Sequence, residues 1–401
     1  MVAVDRSTGF AEVPGRWDDV LDWYARMRED DPVSWDERYG AYHVFRYADI
    51  ARVLSDPAVF SSDLTGLVPP QEEVDLFSRG NFVRMDPPQH TTMRRIVSRA
   101  FTPRVVAGLA PRIETITNEL LDQVAGQDRA DLVQALAYPL PVTVIAELIG
   151  VPAADRDTFR RWADGLLSAQ VPETVIPDEK TMQQAGARLR GMIDYLLAHI
   201  RQRRASPADD LTNALIEAEV DGARLTDEEI VGFLGVLLIA GHITTTTLLT
   251  NTLLCLDANP GAAAALRADP ERIPAALEEV LRYRSPFPRL ARLTTTDTQV
   301  GDRQVPAGKV LMLWVASANR DAAQFAEPDT FDLTRTPNPH LSFGHGIHFC
   351  IGAPLARLEG RIAVQTLLRR CPDLAVDDGV ELYDPRIMTG ARVLPLRLRW
   401  S

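Results

Sequence analysis

The chain is poor in cysteine: Cys255, Cys350 and Cys371 are the only three in 401 residues. That is too few for a disulfide framework and fits a reducing compartment. Basic charge is also in deficit, with 43 Lys and Arg against 55 Asp and Glu and a formal net charge of −12. Such a balance argues against a generic nucleic-acid surface, although a local basic patch for an acidic protein partner remains compatible with it. The opening residues, MVAVDRSTGFAEVPGRWDDV, lack the basic-then-apolar pattern of a secretory leader. Long apolar runs are scarce. The most apolar interior stretch, IVGFLGVLLIAGHITTTTLL, is broken by a histidine and four consecutive threonines, whereas a membrane span needs about 20 predominantly apolar residues. Neither internal repeats nor low-complexity linkers occur. The expectation is a cytoplasmic chain without membrane or nucleic-acid partners, forming one domain over residues 1–401 and acting as a monomer.

What is present is helical periodicity. RWDDVLDWYARMRE, DPPQHTTMRRIVSRAF, LAPRIETITNELLDQVA, LPVTVIAELIG, AADRDTFRRWADGLLS and EKTMQQAGARLRGMIDYLLAHIRQRRA all repeat apolar residues at three- and four-residue spacing. So do LTDEEIVGFLGVLLIAGHITTTTLLTNTLLCLDA and RIPAALEEVLRYR. Thr226 with Glu229 three positions on matches a capping box, and Pro354 after Gly352 suits a first helical turn. Strand-like pieces are short: residues 40–47, a hairpin within 294–317, and RVLPLRLRW at the end. GLVPPQEEVDLFSRG and SAQVPETVIPDEK read as surface loops. The pattern predicts a mainly α fold with a minor antiparallel β region.

One cysteine has unusual neighbours. In LSFGHGIHFCIGAPLARLEGR, Cys350 follows Gly344 and Gly346 and precedes Gly352 at the start of a helical run. Glycines let a backbone approach a flat, bulky object, and amides at a helix start favour a thiolate. A free cysteine is most often a small buried hydrophobe, which suits Cys255 and Cys371. The stretch FGHGIHFCIG, however, resembles the heme-binding loop of bacterial cytochrome P-450 monooxygenases, with Phe343, Gly346, Cys350 and Gly352 filling Phe-x-x-Gly-x-x-x-Cys-x-Gly. The resemblance implies the triangular helical fold of that family and heme b as cofactor. It makes Cys350 the proximal iron ligand, with Phe343 and Gly352 beside it; a thiolate ligand favours O–O cleavage.

Further marks of that family appear in order along most of the chain. EEVLRY carries a Glu-x-x-Arg pair, Glu279 and Arg282, which the resemblance assigns to a structural role. MDPPQHTTMRR resembles the segment whose histidine and arginine bind heme propionates, here His90 and Arg94 on one helix face. ARLTTTD offers Arg292 for the same task, with Arg289 as the alternative, and His348 matches another propionate contact. ANRDAAQFAEPDTFDLTR resembles the stretch that organises the proximal face.

AGHITTT resembles the oxygen-binding part of the long helix. By that likeness Ala240 and Gly241 give low bulk against heme, and Thr244, with Thr245 beside it, takes the oxygen-side position. Ile243 departs from the family, which has an acid there, so the proton path is open; His242 lies out of phase, and a substrate hydroxyl with ordered waters is another source. Pocket candidates are Phe233, Leu237, Phe287, Leu290, Ile387 and Met388, together with residues 64–82 and the helix pair around Leu167–Leu197. The resemblance implies an O2- and reductant-dependent monooxygenase for a small-molecule specialised metabolite. Electrons would come from a separate ferredoxin and an NAD(P)H-dependent ferredoxin reductase, with Arg95, Arg99 and Arg104 as candidate contacts. Epoxidation, phenol coupling, or heme binding without turnover are the alternatives.

Overall fold

Residues 13–155, 157–159, 161–162 and 176–400 are described by the computed structural model. Within them, each long periodic segment forms a helix, and the helices gather around the one spanning Asp227–Ala258. That helix starts at the expected capping box: Glu229 N–H donates to Thr226 Oγ1 (3.2 Å), and Thr226 N–H donates to the Glu229 carboxylate (2.8 Å). It is apolar nearly all round because it is covered nearly all round. Of its most membrane-like window 72% is buried, so by length and composition it would pass for a span, yet it is the central core element. Pro139–Leu148, Glu179–Ala205, Ile273–Tyr283 and Ala353–Arg370 pack against it.

The β component sits to one side. Five short strands pair in the order Val33–Asp36, Ala41–Val44, Val310–Leu313, Leu290–Thr294, Phe60–Ser61. All neighbours are antiparallel except one. Val310–Leu313 runs parallel to Ala41–Val44, with Leu311 opposite Tyr42, which corrects the direction of that one pair within the expected minor antiparallel region. These two strands lie far apart in the chain, so no tight turn imposes opposite directions on them. The expected hairpin is present as Thr298–Val300 and Arg303–Val305.

A second correction concerns residues 66–80, expected to be a loop. Glu72–Ser78 is helical, capped by the Gln71 side chain, which accepts from Val74 N–H (3.0 Å). It lies on the long helix through backbone-to-backbone contact: a Cβ added at Gly232 would stand 2.5 Å from Gly80 Cα. Alternating acids hid the apolar face that Phe77 supplies. The segment AADRDTFRRWADGLLS, the loop SAQVPETVIPDEK and the position of Leu167 fall largely or wholly outside the described residues.

Candidate heme-thiolate site

The cysteine loop is shaped by two left-handed glycines, Gly344 (φ 72°) and Gly346 (φ 68°). A side chain at Gly346 would also strike the Leu54 carbonyl at 2.5 Å. The loop closes when Cys350 N–H donates to the Phe343 carbonyl (2.9 Å). Gly352 differs: its φ of −80° is ordinary helical backbone, so what it contributes is space, with its missing Cβ 3.8 Å from the Cys350 Sγ. Burial pushes the Cys350 thiol up, while the N–H groups of Gly352 and Ala353 and the charges of Arg94 and Arg357 pull it down. These groups all favour negative charge on sulfur.

Four basic side chains converge on the same side of the protein. His90 and His348 face each other with ring centroids 4.2 Å apart. Arg94, one turn after His90 on the Gln89–Ala100 helix, donates to the Phe349 carbonyl (2.7 Å). Arg292, on the Leu290–Thr294 strand, is buried and donates only to the neighbouring Ala291 carbonyl (2.8 Å) among the described residues. Burial lowers Arg292 to about 10, opposed by Asp86. Burial, then Arg292, His90 and Arg94, drive His348 down to about 3. No carboxylate forms an ion pair with any of the four among the described residues. The nearest compensating acid, Asp86, accepts from Ser62 N–H (2.9 Å) and the Ser61 hydroxyl.

A cluster of like charges drawn out of water is unfavourable without an anion. Moreover, His90 Nε2 and Arg94 Nη1 are buried without a hydrogen-bond partner among the described residues. The arrangement therefore fits a ligand bearing two carboxylates close to a sulfur donor, as heme does. Among the described residues no group of three or more His, Cys, Asp or Glu side chains is placed to hold a metal. Cys350 would be the protein's single ligand, the remainder coming from the porphyrin. Arg289 goes elsewhere, over the Trp314 ring (5.8 Å) and toward Tyr39, so Arg292 is the arginine that joins the cluster.

The second stretch singled out in the sequence is the middle of the long helix. Ala240 is exposed and Gly241 and Thr244 partly so, in a helix otherwise mostly buried at this depth. Thr244 Oγ1 donates to the Ala240 carbonyl (2.7 Å), and Thr245 Oγ1 to the Gly241 carbonyl (2.8 Å). Thr245 is buried, and a Cβ at Gly241 would meet Ile145 at 2.8 Å. Both thus serve packing, leaving Ala240 and Thr244 as the open positions. His242 is fully buried, edge-on to Tyr138 at 4.4 Å, and Ile243 is buried too.

A family model for cytochrome P450 matches residues 34–386. The chain belongs to the cytochrome P-450 family. It is 45% identical over 395 residues to the erythromycin C-12 hydroxylase of Saccharopolyspora erythraea, covering 97% of both chains. The cyclomarin C epoxidase CymV of Salinispora arenicola is 44% identical, with 94% of this chain and 95% of that protein aligned. Among solved structures, the open form of the P-450 EryK from S. erythraea superposes with a TM-score of 0.89 at 44% identity, covering 97% and 98% of the two chains.

The remaining residues sort by where this P-450 places them. Glu279 and Arg282 are buried and joined by two hydrogen bonds of 2.8 Å. Arg282 also donates to the carbonyls of Asn319, Pro328 and Thr330, and Glu279 accepts from Arg335, Asn338 and Asp332 N–H. Phe233 and Leu237 are buried in the core, Phe287 is exposed, and Leu290 and Ile387 are half-buried. Met388 turns inward, its sulfur accepting from Thr247 Oγ1 (3.0 Å). Sequence reasoning missed Ser62, which shares a 2.9 Å hydrogen bond with His348 Nε2, and Arg335 and Asn338. Ser62 and Asn338 stand in no quoted motif, whereas Arg335 closes the quoted ANRDAAQFAEPDTFDLTR without its role being separable there. Asp86 could have been noticed, since it is the second residue of the quoted MDPPQHTTMRR.

Proposed function

We propose that this P-450 binds heme b through Cys350 and acts as an O2- and reductant-dependent monooxygenase hydroxylating a C–H bond of a medium-to-large, macrolide- or polyketide-like metabolite. The observation that carries the reading is the set of four basic side chains that form no ion pair with a carboxylate among the described residues, beside an amide-capped cysteine. His90, Arg94, Arg292 and His348 would hold the propionates, and Phe343 would cover the sulfur. The bound heme supplies dioxygen activation, which no side chain here can perform. Ala240 leaves room above the porphyrin.

Thr244 directs its own proton to Ala240 O, so toward the cavity it presents an acceptor. A water or a substrate hydroxyl can donate to that oxygen and be held for proton delivery. With Ile243 in the acid position and His242 packed on Tyr138, neither residue just before the threonine offers it a proton relay, which favours a hydroxyl-rich substrate. The macrolide hydroxylase relative supports that class; the epoxidase relative supports epoxidation as the second reading.

Electrons would come from a cytoplasmic ferredoxin and its NAD(P)H-dependent reductase. Arg95 and Arg99 are partly engaged, with Asp221 and the Glu219 carbonyl, so an acidic carrier would compete with those contacts. The test is incubation of heme-loaded protein with a metabolite library, a surrogate ferredoxin and reductase, and isotope-labelled dioxygen. Mass analysis should find one labelled oxygen atom in a product. Efficient heme reduction with no labelled product across the library would leave a binding protein instead.

A further inference from the structure

The proximal side of Cys350 holds an ion pair that the propionate cluster and the Glu279–Arg282 network do not use. Arg357 lies one turn into the Ala353–Arg370 helix, with its guanidinium carbon 4.6 Å from the Phe343 ring centroid. Phe343 is the residue whose carbonyl receives the Cys350 amide. One edge of the guanidinium is fixed by Glu278, through Nε to Oε1 (2.7 Å) and Nη2 to Oε2 (2.8 Å). Glu278 is also 3.2 Å from His340 Nε2, and the His340 ring is 5.8 Å from that of Phe343.

Both members of the pair are permanently charged. Burial raises Glu278, but hydrogen bonds from Arg357 and His340 outweigh it and bring the carboxyl to about 2. The Glu278 hydrogen bonds raise Arg357 against the effect of burial. Arg357 also acts on the sulfur electrostatically, as does Arg94. A fixed positive charge near a thiolate ligand favours the state of the site with one more electron, and a compensating anion weakens that effect.

We infer that the Glu278–Arg357 pair is a positioning device for the redox chemistry of Cys350: stacked on Phe343, Arg357 raises the reduction potential of the thiolate-bound heme, and Glu278 sets by how much. This rests on the heme-thiolate reading above. The two residues act with opposite sign although each belongs to one hydrogen-bonded unit. A structural role would give both losses the same direction.

Redox titration of the heme-loaded protein separates the two. Arg357→Gln should move the ferric–ferrous equilibrium toward ferric by roughly three- to tenfold, tenfold being about 59 mV for a one-electron couple. Glu278→Gln should move it toward ferrous by a smaller factor. The double variant, which removes both charges, should lie between the two single variants. Arg357→Lys keeps the charge without the fork and should stay within about twofold of wild type. Equal-direction shifts for Arg357→Gln and Glu278→Gln, or no shift in either, would overturn the inference. The reduced carbon-monoxide spectrum is recorded for each protein: absence of the thiolate-type Soret band from the wild type defeats the underlying heme-thiolate reading, whereas a normal band with unmoved potentials defeats only the tuning.

Discussion

Two adjacent threonines show how far one residue's chemistry is decided by its direction. Thr244 and Thr245 make the same bond, each hydroxyl donating to the carbonyl four residues back, yet Thr244 is partly exposed and Thr245 is buried. Thr244→Ala removes the acceptor offered to water or substrate. The expected outcome is a lower ratio of product formed to O2 consumed, read by product analysis beside an oxygen electrode, with the folded fraction unchanged. Thr245→Ala should leave that ratio alone and lower stability by about 1 kcal/mol, the usual net worth of a buried hydrogen bond. If the two variants uncouple equally, Thr244 has no special place. At this scale the sequence was readable where a motif supplied spacing: His90 and Arg94, four apart, do share a face, and Cys350 does stand at the helix start. It was unreadable where direction within a motif mattered. Gly241 turns to Ile145 and Met388 to Thr247 because such choices depend on which neighbouring helix arrives, and those contacts come from distant parts of the chain.

At the scale of elements, the buried Glu279–Arg282 network and the close approach of Gly80 to the long helix are the places least able to absorb a change. Glu279 and Arg282 are buried together, and their oxygens and nitrogens are distributed over Arg335, Asn338 and several backbone groups. Replacing Arg282 by Leu leaves Glu279 with less compensation in a place water does not reach. A loss of about 3–5 kcal/mol is expected, measured by denaturant unfolding of the apoprotein; a loss below about 1 kcal/mol would mean that the pair behaves like a surface one. The contact of Gly80 with Gly232 makes a second case. Adding one methyl in Gly232→Ala forces backbone apart, since the new carbon would lie 2.5 Å from Gly80 Cα, and a cost of about 1–3 kcal/mol follows. The EEVLRY pair was legible in sequence, but the Glu72–Ser78 helix was not. Its periodicity covers less than two full turns, and its stability comes from the glycine gap in the long helix, which no local pattern announces.

Among the ionisable groups shifted by desolvation, half-buried His348 and buried Glu359 bend the stability of the whole molecule in opposite directions. Burial and the neighbouring cations lower His348 from 6.5 to about 3, so between those values the unfolded chain binds a proton that the folded one refuses. Stability from this group is complete above about pH 6.5 and falls as the solution is acidified toward 3. Glu359, on the Ala353–Arg370 helix, is fully buried, and neither carboxylate oxygen has a hydrogen-bond partner among the described residues. Burial raises it from 4.5 to about 8. Here the folded chain keeps the proton that the unfolded one releases, so the contribution is complete below about pH 4.5 and declines as pH rises toward 8. Together the two press the stability optimum toward mildly acidic pH. Unfolding melts at a series of pH values on wild type and Glu359→Gln isolate the second effect. The variant, which carries no titrating proton, should match or fall slightly below wild type at pH 4.5 and gain relative to it steadily toward pH 8. A constant difference across that window would show that Glu359 is ionised inside the fold and compensated by a cation or water. Heme loading addresses the first effect: two propionates placed among His90, Arg94, Arg292 and His348 would stabilise protonated His348 and flatten the acid limb relative to apoprotein. An acid limb equally steep with and without heme would place the propionates away from that cluster.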